Sequence, residues 1–232
     1  MRVRDSLLRT VVAIAFVSMS GSTLSAQRTS FGVLVGGVAA KVTDVDVGSA
    51  DLFNGLSTVE NRYGFQAGVY VNRTFGTMWS LQPELHYIQK GTVFDVSATP
   101  VSGSLSIDLA YVEVPVLLRA DLGTAAWRPF ITAGPTIAMR IGCKGTLESG
   151  SSTLSVDCDE FEDNGTKRDP FETTDFGVNV GAGITGKMGG RSALVQLRYG
   201  RGLTSIITDA SSSTAAKSPK NSVISLVFGF GN

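Results

Sequence analysis

The chain has 232 residues, 20 Lys and Arg balanced by 20 Asp and Glu, one His and two Cys, and only 17% of it is charged. Soluble domains usually carry roughly 25% charged residues, and a balanced charge excludes the basic field that holds nucleic acid. Past the N-terminal segment no apolar run approaches the ~18 residues of a spanning helix, so low charge without such a helix points to a barrel.

The first element in chain order is a leader. MRVRDSLLR carries three arginines, TVVAIAFVSM is apolar, and GSTLSAQ supplies small residues with a cut expected after Ala26. Blocks in that order form a secretory signal peptide, residues 1–26, rather than a buried N-terminal helix. Its removal takes Arg2, Arg4, Arg9 and Asp5 from a neutral chain and leaves a net charge near −2. Residues 27–232 then form one domain.

Alternation with period two predicts eight strands, at residues 30–42, 63–75, 79–92, 105–121, 128–141, 175–188, 192–203 and 222–230. Most are long for a soluble sheet and match the 9–11 tilted residues that cross a bilayer. Long connections (43–62, 93–104, 142–174, 204–221) alternate with short ones: GTM at 76–78, GTAAW at 123–127 and GGR at 189–191. An antiparallel meander puts all short turns at one end and all long loops at the other. The reading is therefore all-β: an eight-stranded antiparallel up-and-down transmembrane β-barrel with short periplasmic turns and long external loops.

Alternation alone does not orient such a barrel, because a soluble ligand-binding barrel alternates too. The polar face decides. Residues 63–75 set Phe65, Ala67, Val69, Val71 and Phe75 against Gly64, Gln66, Gly68, Tyr70 and Asn72. Residues 79–90 set Trp79, Leu81, Leu85 and Tyr87 against Gln82, Glu84, His86 and Lys90. A soluble exterior would carry many Lys and Glu; small and amide residues suit a narrow lumen that side chains must fill. Phe31, Phe65, Phe75, Trp79, Tyr87, Tyr199, Phe228 and Phe230, on the apolar face, are expected to form the interfacial girdles.

Parity also places charge. Glu84, His86, Glu113, Arg119, Arg140, Lys187 and Arg198 are expected to point into the lumen, where isolated charges are costly and pairing follows. The lumen is thus expected to be filled by an ionic and hydrogen-bonded network. Glu113 and Arg119 lie about 20 Å apart along one strand at ~3.3 Å per residue, so each needs a partner elsewhere. Pro115 gives up a ladder hydrogen bond and is expected to mark a bulge.

The run YVEVPVLLRADLGTAAWRPFITAGPTIAMRI, residues 111–141, resembles the outer-membrane β-barrel family loosely grouped as PorT-like. In that family a Tyr-x-Glu-hydrophobic-Pro strand precedes a short turn and a Pro-aromatic-x-x-x-Gly-Pro strand. The resemblance implies the fold, the bacterial outer membrane, contact with outer-membrane lipids and handling by the barrel-assembly machinery during biogenesis. It implies little about activity. The chain differs from the pattern in running on through Gly231 and Asn232 after its last aromatic, Phe230.

Chemistry is sparse. His86, the single histidine, sits beside Glu84 at i−2 and reads as an interior hydrogen-bonding residue. No G-x-S-x-G elbow is present, and a lipid-modifying enzyme with a Ser/His pair would need its His on the lipid face. The acidic stretch at residues 157–165 fails calcium-loop spacing, and no cofactor or metal is assigned. Cys143 and Cys158 are expected to form a disulfide in an oxidising compartment. The reading is a non-enzymatic barrel, structural or binding an unidentified partner through its external loops. A narrow channel or secretion component and a lipid-modifying barrel enzyme are the alternatives.

Overall fold

A computed structural model describes residues 28–44, 56–98, 101–158, 162–163, 166–167, 172–205 and 219–232. The expected signal segment lies outside these residues, as do most of the acidic stretch and the loop 206–218. The strands are β1 (Thr29–Thr43), β2 (Leu56–Phe75), β3 (Trp79–Ala98), β4 (Val101–Asp121), β5 (Trp127–Ser149), β6 (Ser152–Asp157), β7 (Glu162–Asp163), β8 (Thr166–Lys167), β9 (Thr174–Met188), β10 (Arg191–Gly202) and β11 (Lys220–Gly231).

Eight of these close into an antiparallel barrel. The sheet runs β4-β3-β2-β1-β11-β10-β9-β5, and a β4–β5 pairing completes the ring. β6 adds to β5 outside the ring, and β7 pairs with β8 separately. At the seam, β1 and β11 pair in register from Gly32↔Gly231 to Thr43↔Lys220. The Phe31 amide donates to Asn232 Oδ1 at 2.9 Å, and the Asn232 amide donates to the Phe31 carbonyl at 3.1 Å. The two residues past the last aromatic thus tie the seam. At the short-turn end, Met188 and Arg191 are joined through Gly189 and Gly190, whose φ values of 59° and 82° fit the primed turns that suit twisted hairpins.

The barrel is apolar on the outside. Along β11, Ile224, Leu226, Phe228 and Phe230 are all at least 40% exposed, while Val223, Ser225 and Val227 between them are buried. The other strands repeat this, with Phe31, Phe65, Phe75 and Trp79 outward and exposed.

Strand lengths differ from expectation at the long-loop end. β2, β3, β4 and β5 run well past residues 63, 92, 105 and 141, so much of the expected loops 43–62, 93–104 and 142–174 is paired strand. The ladders continue from Asn61↔Thr92 to Leu56↔Val96, out to Ala98↔Val101, to Ser104↔Glu148, and through Lys144↔Asp157 to Ser149↔Ser152. Above the bilayer the lipid-against-lumen contrast that creates alternation fades, while backbone pairing continues. The result is a raised wall of β2–β6 on one side of the barrel.

The expected bulge is also elsewhere. Pro115 stays in register opposite Thr136, and the shift falls between Ala110↔Gly142 and Tyr111↔Arg140, where Ile141 is the extra residue. Proline removes a donor without adding a residue, so it interrupts bonding without moving the register. A second shift on β2 lies between Asn61 and Gln66.

Inside, the lumen is layered rather than uniformly polar. Near the short turns Leu34, Tyr70, Phe130, Leu194 and Val227 form one buried apolar cluster. Toward the long-loop end Phe94, Ile107, Leu109, Tyr111, Val38 and Val223 join Cys143 and Cys158 in another. Cys143 and Cys158 are disulfide-bonded, Cα–Cα 5.4 Å, clamping the β5–β6 hairpin onto that cluster. Replacing both by serine (Cys143→Ser with Cys158→Ser) is expected to lower stability by about 3 kcal/mol, the chain-entropy value for a loop of this length. Urea unfolding in detergent micelles, with the native protein reduced as a control, measures it.

Candidate functional site

Between the two apolar layers lies a belt of buried polar side chains. It forms because inward positions of neighbouring strands fall at one height: His86 pairs with Glu113, Gly68 with His86, and Arg198 with Ser225. Glu84 is its centre. Arg198 holds it with both terminal nitrogens, Nη1 to Oε2 at 2.7 Å and Nη2 to Oε1 at 3.0 Å, a bidentate charged pair. Gln82 Nε2 donates to Glu84 Oε1 at 2.7 Å, and His86 Nε2 lies 2.5 Å from Oε2. Arg198 continues to Gln196 Oε1 at 2.8 Å, and Gln196 donates to Thr132 Oγ1 at 2.6 Å.

Toward the short turns, Asn72 donates to Gln82 and Ser80. Arg119 reaches Gln82 at 3.3 Å and Asp121 at 2.7 Å, and its guanidinium lies 3.9 Å from the centre of the Phe130 ring. That stacking joins the polar belt to the lower apolar cluster. Glu113 is paired separately: Lys90 Nζ is 2.8 Å from its Oε2, and Asn179 donates to Oε1 at 3.2 Å. Lys90 also lies over the Tyr111 ring at 5.0 Å, joining the belt to the upper cluster.

Glu84, His86, Glu113, Arg119 and Arg198 are all 5% exposed or less. Arg140 is half-buried higher up, donating to the Glu172 carbonyl. Lys187 differs from expectation: it has the inward parity of β9 but stands one residue from the strand's end, exposed. Parity assigns a face only where opposing strands enclose it, and at the rim a lysine reaches water.

Lys90, Gln82, Gln196 and Asn179 are network members beyond the expected set. Parity marks Lys90 and Gln82 as inward, but their partners are set by register across three or more strands, which period-two spacing does not encode. The remaining space is small. A cavity of about 20 Å³ is bordered by Gln66, Thr136, Arg198 and Asn221, each with one buried polar atom lacking a protein partner. That suits about one bridging water.

Chemically this is an immobilised belt: Glu84 and Glu113 each carry a cation, the buried Asp175 accepts from Thr204 and Asn221, and His86 faces Glu84 rather than the lipid side. Arg198→Met should strand Glu84 and cost ~3–5 kcal/mol, whereas adding Glu84→Gln should recover much of the loss. Chemical unfolding of the two single variants and the double variant in micelles measures the coupling; strictly additive losses would exclude it.

A family model described as outer membrane protein beta-barrel domain matches residues 22–208. Among solved structures, the chain is similar to OprG from Pseudomonas aeruginosa, at 18% identity over 88% of this chain and 95% of that one, with a TM-score of 0.46. It is also similar to Ail, the attachment invasion locus protein of Yersinia pestis, solved with the heparin analogue sucrose octasulfate. There the identity is 13% over 88% of this chain and 99% of that one, and the TM-score is 0.41. Neisserial surface protein A is similar at 14% identity over 86% of this chain and 95% of that one, with a TM-score of 0.38. No curated protein matches the chain.

Proposed function

The chain belongs to the outer membrane protein beta-barrel domain family and is a protein of the bacterial outer membrane; from that premise we propose that it is a non-enzymatic barrel that binds at the cell surface through its raised strands. Its place within the family, on the motif at residues 111–141, is with the PorT-like barrels. The observation that carries the reading is how the molecule divides its rigidity. The lumen is filled by ion pairs between two apolar layers, which supports a closed barrel over a solute pathway. At the external end, by contrast, β5 and β6 are prolonged and cross-linked. A clamped hairpin loses little entropy on binding, which is what an exposed recognition surface requires.

The enzymatic alternative needs a reactive group facing lipid, and His86 lies against Glu84 inside the wall. The channel alternative needs a continuous aqueous path, and the polar belt leaves room for about one water.

Replacing residues 143–172 by a short Gly-Ser turn is expected to leave heat-modifiable gel migration intact and to abolish adhesion of expressing cells to host-type and abiotic surfaces. An unchanged adhesion profile would sink the surface-binding reading. In planar bilayers the purified full chain is expected to give no discrete conductance steps; reproducible steps would favour the channel.

A further inference from the structure

On the outer wall, three successive outward-facing rows of β3, β4 and β5 change character with height. The lowest, Tyr87–Val112–Met139, is apolar. The next, Gln89–Ala110–Gly142, falls from an amide to an alanine and a glycine, and the one above, Gly91–Asp108–Lys144–Asp157, is charged. Two of the three register shifts in these strands, at residues 61–66 of β2 and 140–142 of β5, fall at the height of this middle row. Where side chains are missing the wall is recessed: a pocket of about 380 Å³ opens there, floored by Ala110, Gly142 and Gly64. That volume falls within the roughly 300–1,000 Å³ of small-molecule sites. Tyr63, 71% exposed, stands at its edge.

The opening faces the bilayer side of the wall at its external margin, so the neighbouring molecule is an outer-leaflet lipid. The rim tells which part of one. Arg62 bonds Asp108 at 2.5 Å, and the exposed Lys144 stands in register between Asp108 and Asp157. Donors and acceptors alternate with no net charge. A polyanion would meet two carboxylates, and an acyl chain would take water from the Arg62–Asp108 pair and from Lys144 and Asp157 while offering no hydrogen bond in return. Sugar hydroxyls both donate and accept, and suit such a rim. The apolar row directly beneath continues the site for the acyl chains.

We propose that this pocket holds the sugar headgroup of an outer-leaflet glycolipid, with the lipid's chains lying on the apolar row below.

Gly142 offers a direct test. A Cβ there would meet only the Ala110 Cβ, at 3.5 Å, an ordinary contact, so a larger side chain fills the pocket and leaves the barrel whole. Native mass spectrometry of the full chain, mixed with dephosphorylated lipid A, an uncharged glycolipid, or with phosphatidylethanolamine, is the measurement, with heat-modifiable migration reporting folding. The native chain is expected to retain the glycolipid at several-fold higher occupancy than phosphatidylethanolamine. Gly142→Leu is expected to lower glycolipid occupancy by about tenfold, and the exposed pair Lys144→Gln with Asp157→Asn to lower it by a similar factor, as loss of charged hydrogen bonds implies. Equal retention of the two lipids overturns the proposal, as does full retention by either folded variant. Should Gly142→Leu fail to fold, the Lys144/Asp157 variant decides alone.

Discussion

Inside hydrocarbon a strand cannot leave its amides or carbonyls unpaired, because no water is there to take them. Everything else in this molecule depends on that requirement. A sheet satisfies it only by closing, and β1 and β11 close this one over twelve paired positions, with Asn232 and Phe31 adding a reciprocal pair of bonds beyond the ladder. Closing on eight strands produces a lumen just wide enough to be filled by side chains. The interior therefore has to be packed, and packed mostly with residues that the outward face could not accept.

Those inward residues are an unusual core. Glu84, Glu113, Lys90, Arg119 and Arg198 are buried as thoroughly as the leucines of a soluble domain, which is tolerable only because each meets an opposite charge or an amide within hydrogen-bond reach. The cation–aromatic contacts of Lys90 with Tyr111 and Arg119 with Phe130 join this belt to the apolar layers on either side. Above the upper layer the bilayer no longer dictates pairing, yet the strands persist, and the Cys143–Cys158 bond anchors the hairpin that rises from them.

The ring of eight strands, the turns through Gly76 and Gly189–Gly190, and the wet and greasy faces were legible in the sequence because the two environments impose a two-residue period. Glu84, His86, Glu113, Arg119 and Arg198 could be placed by parity for the same reason. Their partners could not be read so. That Arg198 meets Glu84, 114 residues away, depends on register and tilt, which no local pattern records. Lys187 has the right parity but stands at the rim, where parity no longer implies enclosure. The extensions of β2–β5 were hidden because their surroundings are alike on both sides, and Pro115 looked like a bulge although only an inserted residue, Ile141, makes one.

The seam has a consequence for how the molecule comes into being. Other ring contacts form between strands adjacent in the chain, or separated only by the β6–β8 excursion, and are comparatively local hairpins. The β1–β11 contact joins residues about as far apart as the chain permits, Gly32 with Gly231. Pairings of that span are the slow ones, because loop closure must precede any gain from contact. Until it forms, the chain is an open ribbon with two adhesive borders, each a template for another copy. The most vulnerable moment in this protein's life is thus the interval between making its last hairpin and joining its two ends, and whatever escorts it then must shield those borders rather than teach the fold.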